Sequence, residues 1–203
     1  MTSNKAFAEV VESSLQGFTA QSWSWDSFPT FGSMVTITTK KRIIFGLVHQ
    51  IHTGSMDQTR YPFPYQKTEE ELQREQPQIF AFLKTTFSCL PIGYQENGIL
   101  HYLLPPEPAK IHAFVAPMTD EASKQFFYKE RYLHVLFGLS NTVFNLDELL
   151  LALLNYQASR KMLTPDKISS FAQRLSLLTG NDYRRLKLFL QRVEPILENH
   201  SQK

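Results

Sequence analysis

The sequence predicts an α+β protein: a small β-barrel over residues 28–117, then a four-helix region over 118–203, with a short segment, 1–27, ahead of both. Three observations predict it. Short β-branched runs, proline corners and turn residues alternate as far as residue 117, the pattern of a small barrel. From Thr119 the apolar period lengthens and helix-capping residues recur. Sixteen Phe and eight Tyr in 203 residues supply large side chains that fill a small core from few positions.

In the leading segment Val10, Val11, Leu15 and Phe18 follow loosely helical spacing, until Gly17 and Ser22-Trp23-Ser24-Trp25 interrupt it. Phe28-Pro29-Thr30-Phe31-Gly32-Ser33 reads as a turn. Val35 and Ile37 alternate with Thr36 and Thr38, as in a half-buried strand. Lys40-Lys41 makes a polar link to a partner strand, Arg42 to Ile51, and the two form a hairpin. Gly46 inside that strand packs nothing, so it marks a bulge or a sharp barrel bend. Tyr61-Pro62-Phe63-Pro64-Tyr65 is extended, since each residue before a proline is pushed out of the helical region. Thr68, with Glu71 three residues on, is a capping box opening a short helix.

Residues 78–90 read two ways: Ile79, Phe80, Phe82 and Leu83 as a helical stripe, Thr85 to Cys89 as strand. Asn97-Gly98 supplies the positive φ of a tight hairpin between Ile92-Gly93-Tyr94 and Ile99 to Leu103. Pro105-Pro106-Glu107-Pro108 is a stop, and Lys110 to Val115 is a last extended piece. Thr119 or Asp120 caps a helix carrying Phe126, Phe127, Tyr132, Leu133, Leu136 and Phe137. Asn145, with Glu148, opens a second over Leu146 to Ser159. Thr164-Pro165-Asp166 starts a third, which Gly180 ends. Asn181 opens the fourth, with Tyr183, Leu186, Phe189, Leu190, Val193 and Leu197 on one face.

The chemistry-bearing motifs are missing from this sequence. It has no phosphate-cradling Gly-x-x-x-x-Gly-Lys-[Ser/Thr], no Gly-x-Gly-x-x-Gly after a strand and no Gly-x-Ser-x-Gly. The expectation is a protein that is not an enzyme and needs no cofactor. His49 and His52 sit three apart on a strand, where that spacing sends side chains to opposite faces; no metal site is expected. His101 and His112 stand alone on strands. Glu69-Glu70-Glu71 complements a helix dipole. Cys89 is the single cysteine, in an apolar stretch, which suits a buried thiol and a reducing, cytoplasmic setting. Met1 to Glu12 has no apolar signal region, and no run reaches the ~18 apolar residues of a membrane span.

Charge is split. Residues 1–120 hold nine basic and eleven acidic side chains, and the remainder twelve and eight. Arg184, Arg185, Lys187 and Arg192 on the last helix are therefore the candidate nucleic-acid contacts; Arg185 and Arg192 share a face and Lys187 lies off it. Trp23 and Trp25 with Tyr61 and Tyr65 could stack bases, but only Arg60 and Lys67 lie near, so core packing is the stronger reading.

Taken in chain order, Phe31-Gly32-Ser33-Met34-Val35, Ile44-Phe45-Gly46-Leu47-Val48, Thr59-Arg60-Tyr61-Pro62, Gln76-Pro77-Gln78-Ile79-Phe80, Ile92-Gly93-Tyr94 and Leu104-Pro105-Pro106-Glu107-Pro108 resemble the HAS barrel. That barrel stands at the N-terminus of HerA-type DNA-translocating ATPases and is related to the N-terminal barrel of the ATP synthase α and β subunits. The resemblance covers roughly residues 28–117. It implies a collar that assembles subunits or docks a partner. The sequence departs from the ATPases after the barrel, where helices replace the nucleotide-binding core, so hydrolysis and translocation do not carry over; it looks similar to stand-alone HAS-barrel proteins of bacteria. The expectation is an assembly or adaptor protein that self-associates or holds a protein partner, with Tyr61, Phe63 and Tyr65 as contacts. A nucleic-acid-binding accessory protein and an enzyme of unfamiliar type are the alternatives.

Overall fold

The first two strands come from the segment that the sequence places ahead of the barrel. β1 (Ala8–Ser13) and β2 (Phe18–Ser22) form an antiparallel hairpin, and its turn is held by Ser14, whose Oγ accepts from the Gly17 N–H at 3.2 Å. The helical reading of Val10, Val11, Leu15 and Phe18 is thus corrected. A bulge between Val10 and Glu12 breaks the two-residue alternation, leaving Val10 inside the barrel and Val11 45% exposed.

The computed structural model describes residues 5–57 and 63–201. Within it β3 (Met34–Thr38) and β4 (Arg42–Ser55) make the expected hairpin, with Ile37 opposite Ile44 and Val35 opposite Gly46. α1 (Glu69–Glu75) carries the full capping box of Thr68 and Glu71. The ambiguous stretch resolves both ways: α2 (Gln78–Ala81) is one helical turn and β5 (Leu83–Glu96) is a long strand. β6 (Ile99–His101) returns on β5 through Asn97 and Gly98, both at positive φ. β7 (Phe114–Pro117) starts later than the sequence suggests. Lys110 to Ala113 is a turn instead, closed by the Ala113 N–H on the Lys110 carbonyl at 3.0 Å, with His112 at φ 65°.

All pairings are antiparallel, and the order β2-β1-β7-β3-β4-β5 closes where β2 pairs with β5. Six strands therefore form a barrel, and β6 extends β5 beyond it. Gly46 sits where the β4–β5 register shifts, opposite Pro91. A Cβ there would lie 2.6 Å from Phe18 Cζ, so the bend and the absent side chain make room for the Phe18 ring. Val10, Phe18, Val35, Ile37, Ile44, Val48, Phe87 and Cys89 fill the interior.

The last half of β5, Cys89 to Tyr94, is buried on both faces, whereas its first half alternates. Helices cause the difference, because they cover that side of the barrel. α3 (Asp120–Phe126), capped by Thr119, and α4 (Tyr132–Gly138) stand where the sequence suggests one helix, so among the described residues five α-helices and one short 3-10 turn follow the barrel rather than four helices. On one continuous helix Phe126 and Tyr132, six residues apart, would point ~120° apart. The break lets both rings face one core, with centroids 5.9 Å apart.

α5 (Leu146–Ser159) is capped by Asn145, and α6 (Pro165–Leu178) by Thr164. α7 (Tyr183–Ser201) starts from Asp182, whose Oδ1 accepts from the Arg185 N–H at 3.0 Å. Asn181, the expected cap, instead holds a left-handed turn at φ 60°. Phe189 and Val193 of α7 are buried as expected, but Tyr183 is 74% exposed. One core joins Met34, Phe45, Leu47, Leu90 and Ile92 of the barrel to Met118, Phe126, Leu133, Leu149 and Leu153 of the helical part. The helices and that side of the barrel wall share this one core.

Candidate functional site

The aromatic loop leaves the end of β4 and reaches α1. Phe63 is 70% exposed and Tyr65 37%. Their rings meet edge to face with centroids 5.6 Å apart, a geometry the ring quadrupoles favour. The pair forms a preformed apolar knob; a few residues on, Lys67 and Glu75 form an ion pair in which each partner holds the other charged. Tyr61, the third expected contact, lies outside the described residues, as does all of 58–62.

The two tryptophans do not join that loop. Trp25 stacks on Phe80 at 5.6 Å, and Trp23 meets Phe114 edge to face at 5.7 Å. Trp23 and Phe114 are both more than half exposed, which makes a second aromatic patch on the barrel wall. Sequence alone does not show it, because Trp23, just after β2, and Phe114, at the start of β7, are distant in the chain.

On α7, Arg184 and Lys187 are exposed, but Arg185 and Arg192 turn toward the first turn of α5. Arg185 Nη2 donates to Asp147 Oδ1 at 2.6 Å and its Nε to Oδ2 at 3.3 Å. Arg192 Nη2 donates to Glu148 Oε1 at 2.6 Å. Asp147 raises the Arg185 pKa further through that contact. The shared face of Arg185 and Arg192 is thus a helix–helix seam, and half of the candidate nucleic-acid set is spent on it. Double-stranded DNA titrated at low salt is expected to show no saturable binding. Saturable binding whose affinity falls steeply with salt would restore the reading.

The remaining singled-out groups are structural. Cys89 is fully buried, and burial pushes its thiol well up, away from the reactive thiolate. His49 is the extra residue in a second register shift of β4, half-buried, while His52 is exposed. Burial holds the His49 imidazole below its ordinary 6.5. The unfolded chain then binds the proton more readily, so stability falls as pH drops through 6.5 toward the lower folded value. Denaturation midpoints measured from about pH 7 to pH 5 are expected to fall less in His49→Gln than in the wild type; an equal fall contradicts the assignment.

His112 Nδ1 lies 2.7 Å from Glu9 Oε1, and the His101 ring stacks on Tyr94 at 4.8 Å. Tyr132, buried beside Gln157, is raised chiefly by burial. Among the described residues no group of three or more His, Cys, Asp or Glu side chains could hold a metal. No helix among them is long and apolar enough to cross a membrane.

No curated protein matches the chain in sequence. Residues 7–100 match the HAS barrel domain, a span that takes in β1 and β2 and runs to β6. Residues 7–100 of this chain thus carry a HAS barrel domain, and β7, just beyond that span, completes the closed six-strand barrel ahead of the helices.

Proposed function

We propose that the protein is a non-catalytic assembly or adaptor module that docks a protein partner, or a second copy of itself, through the barrel side of the molecule. The observation that carries this reading is the Phe63–Tyr65 pair, two exposed rings meeting edge to face on the proline-containing loop ahead of α1. Large aromatic side chains exposed on a folded frame are the commonest anchors of protein interfaces, since they bury much area for few rotatable bonds. The collar role that the barrel resemblance implies points the same way. The ion pairs of Arg185 and Arg192 weigh against the nucleic-acid alternative.

Light scattering on the purified chain and capture from the native source test the proposal together. The expected result is a defined oligomer or a reproducible co-purifying protein, weakened about tenfold or more in a Phe63→Ala/Tyr65→Ala variant. That variant leaves the core untouched, so its melting temperature is expected to stay within a few degrees of wild type. A strict monomer that captures nothing, or capture equal in both forms, contradicts the proposal.

A further inference from the structure

A cavity of about 660 Å³ opens at the end of the barrel, beside the β3–β4 hairpin. One wall is the hairpin tip from Thr38 to Arg42; the other is the stretch from Glu107 to Ala113 that leads into β7. Its volume falls within the ~300–1,000 Å³ of small-molecule sites.

The lining is of one sign. Lys40, Lys41, Arg42 and Lys110 stand against the single carboxylate of Glu107. Lys40 and Lys41 are the two residues of a tight turn, closed by the Thr39 N–H on the Arg42 carbonyl at 2.8 Å and by the Arg42 N–H on Thr39 Oγ1 at 3.0 Å. Two exposed lysines are thereby held at the mouth beside Arg42, where their like charges favour an anion between them. The opposite wall is pinned by His112, a non-glycine at φ 65°, whose N–H donates to the Val10 carbonyl at 2.8 Å. The His112 ring engages Glu9, with Nδ1 2.7 Å from Oε1.

Arg42 is the decisive residue. Its side chain is only 9% exposed, and one nitrogen, Nη2, donates to Glu96 Oε1 at 3.0 Å. Its guanidinium carbon stands 5.8 Å from the centre of the Tyr94 ring. The Nε and Nη1 donors are buried and have no hydrogen-bond partner among the described residues. A guanidinium cannot shed its charge to relieve this, and buried donors normally find an acceptor. An oxyanion supplies both what the donors lack and what the lysines attract.

We propose that this cavity binds a small ligand through a phosphate or carboxylate group, with Arg42 supplying the inner donors and Lys40, Lys41 and Lys110 the surrounding field. The site is separate from the aromatic knob of the docking loop, and neither proposal needs the other.

The test is a titration of the full chain with inorganic pyrophosphate and, separately, with citrate, at ionic strength fixed by sodium chloride. Binding is read from the Arg42 Nε–H resonance by nitrogen-edited NMR. The expected result is a saturable shift with at least one probe. Pyrophosphate alone assigns the site to phosphates, citrate alone to carboxylates, and both to either group. Arg42→Gln is expected to weaken binding at least about tenfold, and Lys41→Gln and Lys110→Gln about three- to tenfold each. Lys129→Gln, far from the cavity on the α3–α4 link, is expected to change nothing. Should Arg42→Gln fail to fold, the two exposed lysine variants decide. No saturable shift up to about 20 mM of either probe, or wild-type affinity in both lysine variants, overturns the proposal.

Discussion

Phe126→Ala is expected to lower stability by about 3–5 kcal/mol, the cost of emptying a fully buried aromatic site, and the melting temperature by roughly 6–20 °C for a chain of this size. Phe126 is the ring through which the barrel and the helices meet. Phe45 of β4 lies 5.1 Å away, Tyr102 5.3 Å, Phe127 5.2 Å and Tyr132 5.9 Å, centroid to centroid. Tyr102 also donates from its hydroxyl to the Phe126 carbonyl at 2.6 Å. On the barrel side the ring fills the slot left by Gly93, where an added Cβ would lie 2.9 Å from Phe126 Cε2. Thermal denaturation followed by circular dichroism measures the loss. Because one core serves both parts, helical and β signals are expected to disappear together; a helical signal lost well before the β signal would show that the two are energetically separate.

Gly32→Ala is expected to cost about 2–4 kcal/mol by a different route, overfilling rather than emptying. Gly32 has φ +77°, a conformation that carries a penalty for any residue with a Cβ. The added carbon would also lie 2.4 Å from Ala152 Cβ and 2.7 Å from the Ala152 carbonyl carbon. Those atoms belong to α5, whose backbone cannot shift without disturbing Leu149, Leu150 and Leu153, all fully buried. The loop ahead of β3 touches α5 here without a side chain between them. Urea denaturation of Gly32→Ala and of Gly98→Ala makes the comparison sharp. Gly98 also has positive φ, but its Cβ would meet nothing, so the smaller loss expected there measures backbone strain alone. Equal losses contradict the close contact with α5.

Much of this architecture was legible in the residues because its signals are local. The Asn97-Gly98 turn, the Thr68–Glu71 capping box and the Asn145 and Thr164 caps each depend on a few neighbouring positions, and each formed as expected. The bend at Gly46 was legible for the same reason. What stayed hidden depends on distant partners. β1 lost its alternation to a bulge at Val11, so it resembled a helix. The single helix expected over Phe126 to Phe137 breaks because Phe45 and Tyr102, far away in sequence, offer its rings a shared core.

The candidate surfaces divide in the same way. Phe63 and Tyr65 could be proposed from their proline-flanked loop, whereas Trp23 with Phe114 required the fold. The face shared by Arg185 and Arg192 was correctly inferred from their spacing of seven. What it meets, Asp147 and Glu148 of α5, was not. Lys40-Lys41-Arg42 could have been noticed as three consecutive cations, but only the barrel shows that Arg42 turns inward.

The proposed docking role turns on whether a partner lands on the aromatic loop. A benzophenone-bearing phenylalanine placed at position 63 and photo-activated in cells of the native source tests it directly, with the same group at Phe144, which is fully exposed among the helices, as the reference. The expected result is a discrete covalent adduct from position 63 and none of the same mass from position 144. No adduct at position 63, or the same adduct from both positions, would contradict it.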